Sequence, residues 1–404
     1  MNVLYFWPVI TLFLISRIYA EEGLSNPNQF VILFCLYFVH SVLALRLPVN
    51  PKLSTRVLVL LCGLFFIGQN PKYENDHYRY LWDGQVLLKG HNPYAYPPMS
   101  IQLDDVSFKN RDKVAFPHLT TIYPPLALVL FSTAGLMGES YSLLFLQIVN
   151  LLILIWIIPK WFPAVGRGLL VLLPFFMKEF IQSVHIDLLA VGLFSIAVTK
   201  RSWIFQILCF FSKYLNMLFW PFLLLQRRQM RRPWKKMSAG LLLLVVSFFW
   251  ILNANKEQLA GGESFVQYWV WNNAPILLLG KALNRLMEVR AVFIGLFGLF
   301  YFFILYRFYK AKKAVEIPYK AVFWSLFLCS PVLNPWYLVW LIPFGPSLIE
   351  CVAILTTFLA YAPYSKLGET FNCFCLILQF ILIVYCWLGN IQRFRLETQS
   401  FGKS

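Results

Sequence analysis

YSLLFLQIVNLLILIWII, residues 141–158, carries no charged side chain. As a helix rising 1.5 Å per residue it would extend about 27 Å, close to the ~30 Å hydrocarbon thickness of a bilayer. The stretch reads as a membrane span. Further apolar runs lie near 3–20, 29–47, 56–68, 123–138, 168–180, 187–199, 203–225, 237–252, 291–306, 320–333, 337–363 and 370–389. Several are shorter than the about 20 residues of a full span, and Pro or a charge interrupts others. Broken helices at membrane depth are tolerated only where protein or a water-filled cavity surrounds them. The broken runs therefore point to an internal site near one membrane face.

Composition agrees. Of the 404 residues, 59% are hydrophobic, 18% aromatic and 13% charged, and the mean hydropathy is +0.64. Soluble domains carry about a quarter charged residues, and no single globular core could hide this much apolar surface. Spanning helices satisfy their backbone hydrogen bonds within one segment. The expectation is all-α: a polytopic transmembrane bundle of about 11–13 helices, some short or re-entrant, forming one integral-membrane unit over residues 1–404.

The net charge of +17 is not a nucleic-acid footprint. Basic residues sit in short clusters between apolar runs, the pattern of cytoplasmic loops. RRQMRRPWKK (227–236) and RFYKAKKAVEIPYK (307–320) are the clearest, and the tail QRFRLETQSFGKS (392–404) agrees. Arg46, Lys52 and Arg56 mark another cytoplasmic turn, which sends the loop 69–122 outward. A second external loop, 253–290, is rich in Trp, Asn and Gln. A hairpin of two short helices over 203–225, bent at Lys213, puts Lys213, His185 and Asp187 toward the outside. Two full spans between Tyr123 and Lys160 would leave Lys160 and Arg167 outside, so 123–138 is expected to be short or re-entrant. The eight cysteines lie in or beside apolar runs, lack zinc-ligand spacing and read as small apolar residues. MNVLYFWPVITLFLISRIYAEE (1–22) lacks the basic start of a signal peptide and reads as an uncleaved first helix.

The polar exception is NDHYRYLWDGQVLLKGHNPYAYPP, residues 75–98. Tyr78, Leu81, Trp82 and Leu88 recur near helical spacing, while Asp76, Arg79, Tyr80 and Asp83 share the opposite face. This predicts a short interfacial helix with its aromatics at headgroup depth. Asn75 is placed to cap it, Gly90 to stop it, and Pro93, Pro97 and Pro98 prevent its resumption. Asp76 in the first turn either complements the helix dipole or does chemistry. Asp83 is a partner for Arg79 or a substrate hydroxyl. Downstream, His185 and Asp187 open a short helix and Lys213 interrupts an apolar stretch. Ionisable groups at such depth are costly and functional by default, with an interfacial His185 and a snorkelling Lys213 as the plainer readings.

In this order the elements resemble the GT-C class of integral-membrane glycosyltransferases, which use lipid-phosphate-linked sugars. The chain is most similar to the mannosyltransferases of GPI-anchor assembly and the bacterial polyprenol-phosphomannose-dependent enzymes. Asp76-His77-Tyr78-Arg79-Tyr80-Leu81-Trp82-Asp83-Gly84 followed by Gly90-His91-Asn92-Pro93-Tyr94 carries the resemblance, with Thr121-Ile122-Tyr123-Pro124-Pro125-Leu126. Val184-His185-Ile186-Asp187 matches a family turn that begins with glycine, Phe211-Ser212-Lys213-Tyr214 a short-helix pair with a central lysine, and Pro335-Trp336-Tyr337 through Trp340 and Pro343 a late element. These elements span residues 70–345. The chain departs in placing its catalytic loop after an apparent third helix, and in reducing the family's paired acids to Asn75-Asp76.

The resemblance implies transfer of a hexose, by preference mannose, from a polyprenyl- or dolichyl-phosphate donor to a glycolipid or glycan acceptor, with inversion, at the periplasmic or lumenal face. A bacterial inner membrane fits the motif better than the endoplasmic reticulum. An acceptor hydroxyl needs a positioned base, and Asp76 is the candidate. Lys213, His185 and Arg79 are candidates for the donor phosphate, whose charge grows in the transition state. Asp83, Asn92, Asp187, Asn334, Trp336 and Tyr337 are candidates for sugar binding. No metal ligand set is assigned and no cofactor is required, with Mg or Mn as the open alternative. Membrane lipids are the surrounding partners. Two other classes share these features. A lipid or solute transporter or flippase uses broken helices too, but keeps its ionisable groups near the midplane. A non-catalytic subunit of a glycosyltransferase complex would keep the aromatics without depending on Asp76.

Overall fold

The computed structural model describes residues 6–20, 27–47, 53–226, 269–311 and 315–399. The basic cluster 227–236, the apolar run 237–252 and residues 253–268 of the second loop lie outside the described residues, as does Lys52. Among the described residues the chain is helical, and its one β contact is a Trp271–Val332 bridge. The all-α expectation holds.

Helices α1 (Trp7–Ala20), α2 (Pro27–Arg46) and α3 (Thr55–Leu64) pack together. Helix α4 (Asp76–Leu88) lies against α5 (Pro125–Gly135), and α6 (Glu139–Trp161) follows. Helix α7 (Arg167–Phe176) runs on as a π-helical turn, Met177–Gln182, before α8 (Asp187–Thr199). Then come α9 (Trp203–Ser212), the 3-10 turn Tyr214–Phe219 and α10 (Trp220–Gln226). Beyond residue 268 lie α11 (Ala274–Leu283), α12 (Leu286–Lys310), α13 (Tyr319–Cys329), the 3-10 segment Pro335–Phe344, α14 (Leu348–Leu355) with its 3-10 extension Thr356–Ser365, and α15 (Glu369–Gln399).

Five of these helices are long and apolar enough to cross a bilayer: α2, α6, α12, Leu348–Ser365 and α15. The α7–π segment and α8 pass the same test only as a pair bent by 115°, the form of a broken span or a re-entrant loop. This is an integral membrane protein. Leu299 and Phe302 on α12 are 68% exposed, a surface suited to lipid rather than water. Helix α5 has 11 residues, too few for a span of about 20, in line with the expected short 123–138 segment. Helix α15 runs ten residues past the apolar stretch, and Arg307 Nη2 donates to Thr398 Oγ1 near its end at 2.7 Å. Buried Glu350 ties α13, α14 and α15 together, accepting from Lys320 (2.7 Å), Trp324 (2.8 Å) and Asn390 (2.9 Å).

Helix α4 corrects the sequence reading in two respects. Trp82 does not face lipid headgroups but is buried in protein against Phe108, with the Arg111 guanidinium 5.0 Å from its ring. Asn75 precedes the helix without a side-chain cap and instead donates to the Lys113 carbonyl at 3.3 Å. The stop is as expected. Gly90 has φ 84°, and His91 N–H to Val86 O (3.1 Å) with Gly90 N–H to Leu87 O (3.0 Å) complete a Schellman motif.

Gly84 sets how closely α4 meets α5. A Cβ there would sit 2.4 Å from the Phe131 carbonyl oxygen, a backbone atom that cannot swing aside. Gly84→Ala is therefore expected to force the helices apart, destabilising by about 1–3 kcal/mol. The check is the thermal aggregation midpoint in detergent; an unchanged midpoint would contradict this crossing.

Candidate active site

A pocket partly open to solvent lies beside the N-terminus of α4. Its polar wall is Asp76, Arg79, Tyr80, Lys213, Asn334 and Tyr337, and Phe116, Trp269 and Trp336 supply aromatic faces. Breaks in regular helix deliver most of these groups. The backbone at Lys213 is extended (φ −158°, ψ 131°) between α9 and the following 3-10 turn. Asn334 and Trp336 open the 3-10 segment Pro335–Phe344.

Asp76 is the exceptional acid of the site. Among the described residues its carboxylate makes no hydrogen bond or ion pair. It stands outside the membrane-spanning segments, and burial pushes its carboxyl up to about 6. The charges of Glu74 and Asp187 add to the rise, while those of His185 and Lys213 oppose it. The other nearby acids have cationic partners. Asp187 receives Lys213 Nζ at 2.9 Å and Trp340 Nε1 at 3.0 Å.

Behind Trp336 and Tyr80 lies a buried charge cluster. The His185 ring stacks on Trp336 with centroids 3.5 Å apart, and its Nδ1 is 3.2 Å from the Tyr80 hydroxyl. Its Nε2 is 2.9 Å from Glu74 Oε2 and 3.5 Å from Glu179 Oε2. The Glu74 approach is an ion-pair distance without hydrogen-bond alignment. Lys178 Nζ donates to Glu74 Oε1 (2.7 Å), Ser183 Oγ (2.8 Å) and the Tyr361 hydroxyl (3.1 Å). Tyr361 in turn donates to Glu179, 3.0 Å from Oε2. For Glu74, burial alone would raise the pKa, but the charges of His185 and Lys178 outweigh it and hold the carboxyl at about 2.

The π turn carries two members of this cluster: the adjacent residues Lys178 and Glu179 are both buried, and Asn150 of α6 donates to the Phe180 carbonyl at 2.8 Å. Val184, where the related motif has glycine, adopts φ 54°, a conformation that a β-branched residue takes only under strain. Burial of Val184 among the aromatics under α4 holds it there.

Among the described residues, Glu74, Glu179 and His185 are the trio whose ligand atoms all come within 4.8 Å of one another. They do not fit a divalent ion as they stand. Lys178 Nζ, 2.7 Å from Glu74 and 3.6 Å from Glu179, already supplies the positive charge between the two carboxylates.

Of the residues singled out in the sequence, Asp76, Arg79, Lys213, Asn334, Trp336 and Tyr337 meet at the pocket. His185 stands one layer behind. Arg79 is engaged: Nε spans Asp83 at 2.9 and 3.1 Å, and Nη1 donates to the carbonyls of Ala115 and Phe116. It braces the loop, while its buried Nη2, at a residue lining the pocket, has no hydrogen-bond partner among the described residues. Asp83 takes Arg79 and Thr121 Oγ1 (2.6 Å) and does not line the pocket. Asn92 Oδ1 accepts from the Tyr94 N–H at 3.0 Å in a local turn away from the pocket. Asp187 is bound to Lys213 and away from the lining. Glu74, Lys178, Glu179 and Tyr361 went unnoticed. Glu74 stands two residues before Asp76, and Lys178-Glu179 breaks an apolar run, so both left a signal. Tyr361 left none.

A helical membrane protein with an acid, cations and aromatics at one such pocket has the build of an integral-membrane glycosyltransferase. Residues 30–226 match the family described as Alpha-(1->6)-mannopyranosyltransferase, N-terminal domain, a family of GT-C type mannosyltransferases. No curated protein matches the chain significantly. No solved structure does so either.

Proposed function

We propose that the protein transfers a mannosyl group from a polyprenyl- or dolichyl-phosphate donor to a hydroxyl of a glycolipid or glycan acceptor, with inversion, on the non-cytoplasmic face. The observation that carries this reading is the unpaired Asp76 carboxylate in the pocket that also presents Lys213. Asp76 takes the proton of the acceptor hydroxyl as its oxygen forms a bond to the anomeric carbon. The bond from that carbon to the phosphate oxygen breaks, and its electron pair leaves with the lipid phosphate. Lys213, 23% exposed and held by Asp187, stabilises the growing charge where water is scarce. Asn334, Tyr337 and Trp336 bind the sugar. The expected product of purified enzyme offered polyprenyl-phosphate mannose, glucose, galactose or arabinose is an α-mannoside from the first alone. A β-linked product, or no transfer from any donor, would sink this reading.

The reaction runs without a resident divalent cation, because Lys178 holds the cation's place beside Glu74 and Glu179. Transfer is expected to stay within about twofold after exhaustive chelation, well inside the tenfold that 1.36 kcal/mol of barrier represents. A tenfold or greater loss restored by Mg or Mn would contradict it.

A further inference from the structure

We propose that Phe116 and Trp269 form the platform on which the acceptor sugar rests, a carbohydrate subsite at the rim of the pocket. The ligand class, a mannose-containing glycan, rests on the transferase reading above; the site itself rests on geometry. The two rings meet with centroids 4.4 Å apart at 54° and both line the pocket that holds Asp76. They come from different parts of the chain. Phe116 lies between α4 and α5. Trp269 precedes α11 in a segment held to residues 331–333 by Trp271 N–H to Pro331 O and Leu333 N–H to Trp271 O, both 2.9 Å. The ring contact therefore joins two separate segments across the pocket.

Burial does not explain where Phe116 sits. The residue is 39% exposed, yet its φ is 51°. A bulky side chain in the left-handed region is strained and persists only where the surroundings over-determine it. Here Arg79 and its partners do so. Arg79 Nη1 donates to Ala115 O at 3.3 Å and Phe116 O at 3.2 Å. Arg79 is locked by Asp83, and Asp83 by Thr121. A buried ion pair is thus spent on fixing a strained backbone that keeps an aromatic ring in the open. An aromatic serving only the core would be turned inward.

The chemistry of the rim suits a sugar. A hexose presents C–H bonds on its ring faces and hydroxyls around its edge. The Phe116–Trp269 pair offers apolar faces, and Asp76 and Asn334 offer acceptors and donors in the same pocket. A sugar laid on the rings brings a hydroxyl toward the one carboxylate of the site that has no partner. The chain thereby separates acceptor recognition, at the rim, from donor-phosphate recognition, at Lys213.

The test titrates the full-length protein in nanodiscs with methyl α-1,6-mannobioside, reading affinity and ring C–H contacts by saturation-transfer NMR. Phe116→Ala and Trp269→Ala are expected to weaken binding tenfold or more and to lose saturation of the ring C–H protons. Phe116→Trp should restore both to within threefold. In turnover with polyprenyl-phosphate mannose, the ratio of transfer to donor hydrolysis should fall about tenfold in Phe116→Ala. Unchanged mannobioside affinity in both alanine variants overturns the proposal. So does a loss of donor affinity in place of acceptor affinity, failure of tryptophan to restore, or absence of binding by the unmodified protein. The binding measurement needs no turnover, so its failure is separable from failure of the transferase reading.

Discussion

Asp76→Asn is expected to slow mannosyl transfer by about 10²–10⁴-fold, or about 3–5.5 kcal/mol of barrier, while the protein becomes harder to unfold. The amide keeps the shape of the carboxylate and cannot accept the proton. No hydrogen bond is broken by the change, since the carboxylate makes none among the described residues. The pH dependence follows from the carboxyl lying at about 6 under the influence of burial. A base works when deprotonated, so kcat/KM should rise with pH through about 6, level off above it, and fall as pH drops below. The stability sign is opposite. The folded-state pKa is raised above the ordinary carboxyl value of 3.8, so the folded protein binds this proton more tightly than the unfolded chain. Stability attributable to this group declines as pH rises from about 4 through about 6, and Asp76→Asn removes that decline. The measurements are a pH–rate profile for both forms and a melting midpoint at pH 7. Full turnover by the asparagine form, or a wild-type profile flat from pH 5 to 8, would take Asp76 out of the base role.

What the sequence made legible was whatever rests on composition or local periodicity. An unbroken apolar run announces α6, and the Gly90 stop of α4 follows from a backbone position that favours glycine. The Arg79–Asp83 pair was also readable, because i and i+4 residues are neighbours on a helix. Its burial was not, because that depends on residues 101–121 folding back over α4, which no periodicity in α4 records. The charge cluster stayed hidden for a different reason. Lys178 and Glu179 lie in a stretch buried on every side from Leu169 to Gln182, so no periodicity marks which groups they meet. Tyr361 reaches Lys178 across 183 positions of chain, a pairing that exists only in the packed bundle. The polar residues of α6 make the same point. Gln147 and Asn150 look like blemishes in a membrane span, yet they donate to the carbonyls of Gln69 and Phe180.

Lys178→Met should be among the most destabilising single substitutions in the described part of the chain. Removing one member of a buried ion pair leaves uncompensated charge and costs about 3–5 kcal/mol. Here the lysine is 1% exposed and serves Glu74, Ser183 and Tyr361 at once, with Glu179 3.6 Å away. Without it, His185 alone would face two carboxylates. Glu74 shows how much depends on these charges. Its carboxyl, held at about 2 against an ordinary value of 4.5, contributes stability that is complete above about pH 4.5 and is lost as pH falls toward 2. In Lys178→Met that contribution should shrink, because with one of the two opposing charges gone the folded-state pKa moves back toward its ordinary value. A plain packing defect would not be cured by a second charge change, whereas an electrostatic one should be. Lys178→Met/Glu74→Gln is therefore expected to recover about 1–3 kcal/mol relative to the single variant. Unfolding in mixed micelles, followed across a denaturant series for both single variants and the double, measures the coupling. A double variant no more stable than Lys178→Met would mean that the lysine supports the bundle by its bulk, and the cluster would lose its standing as a balanced set of charges.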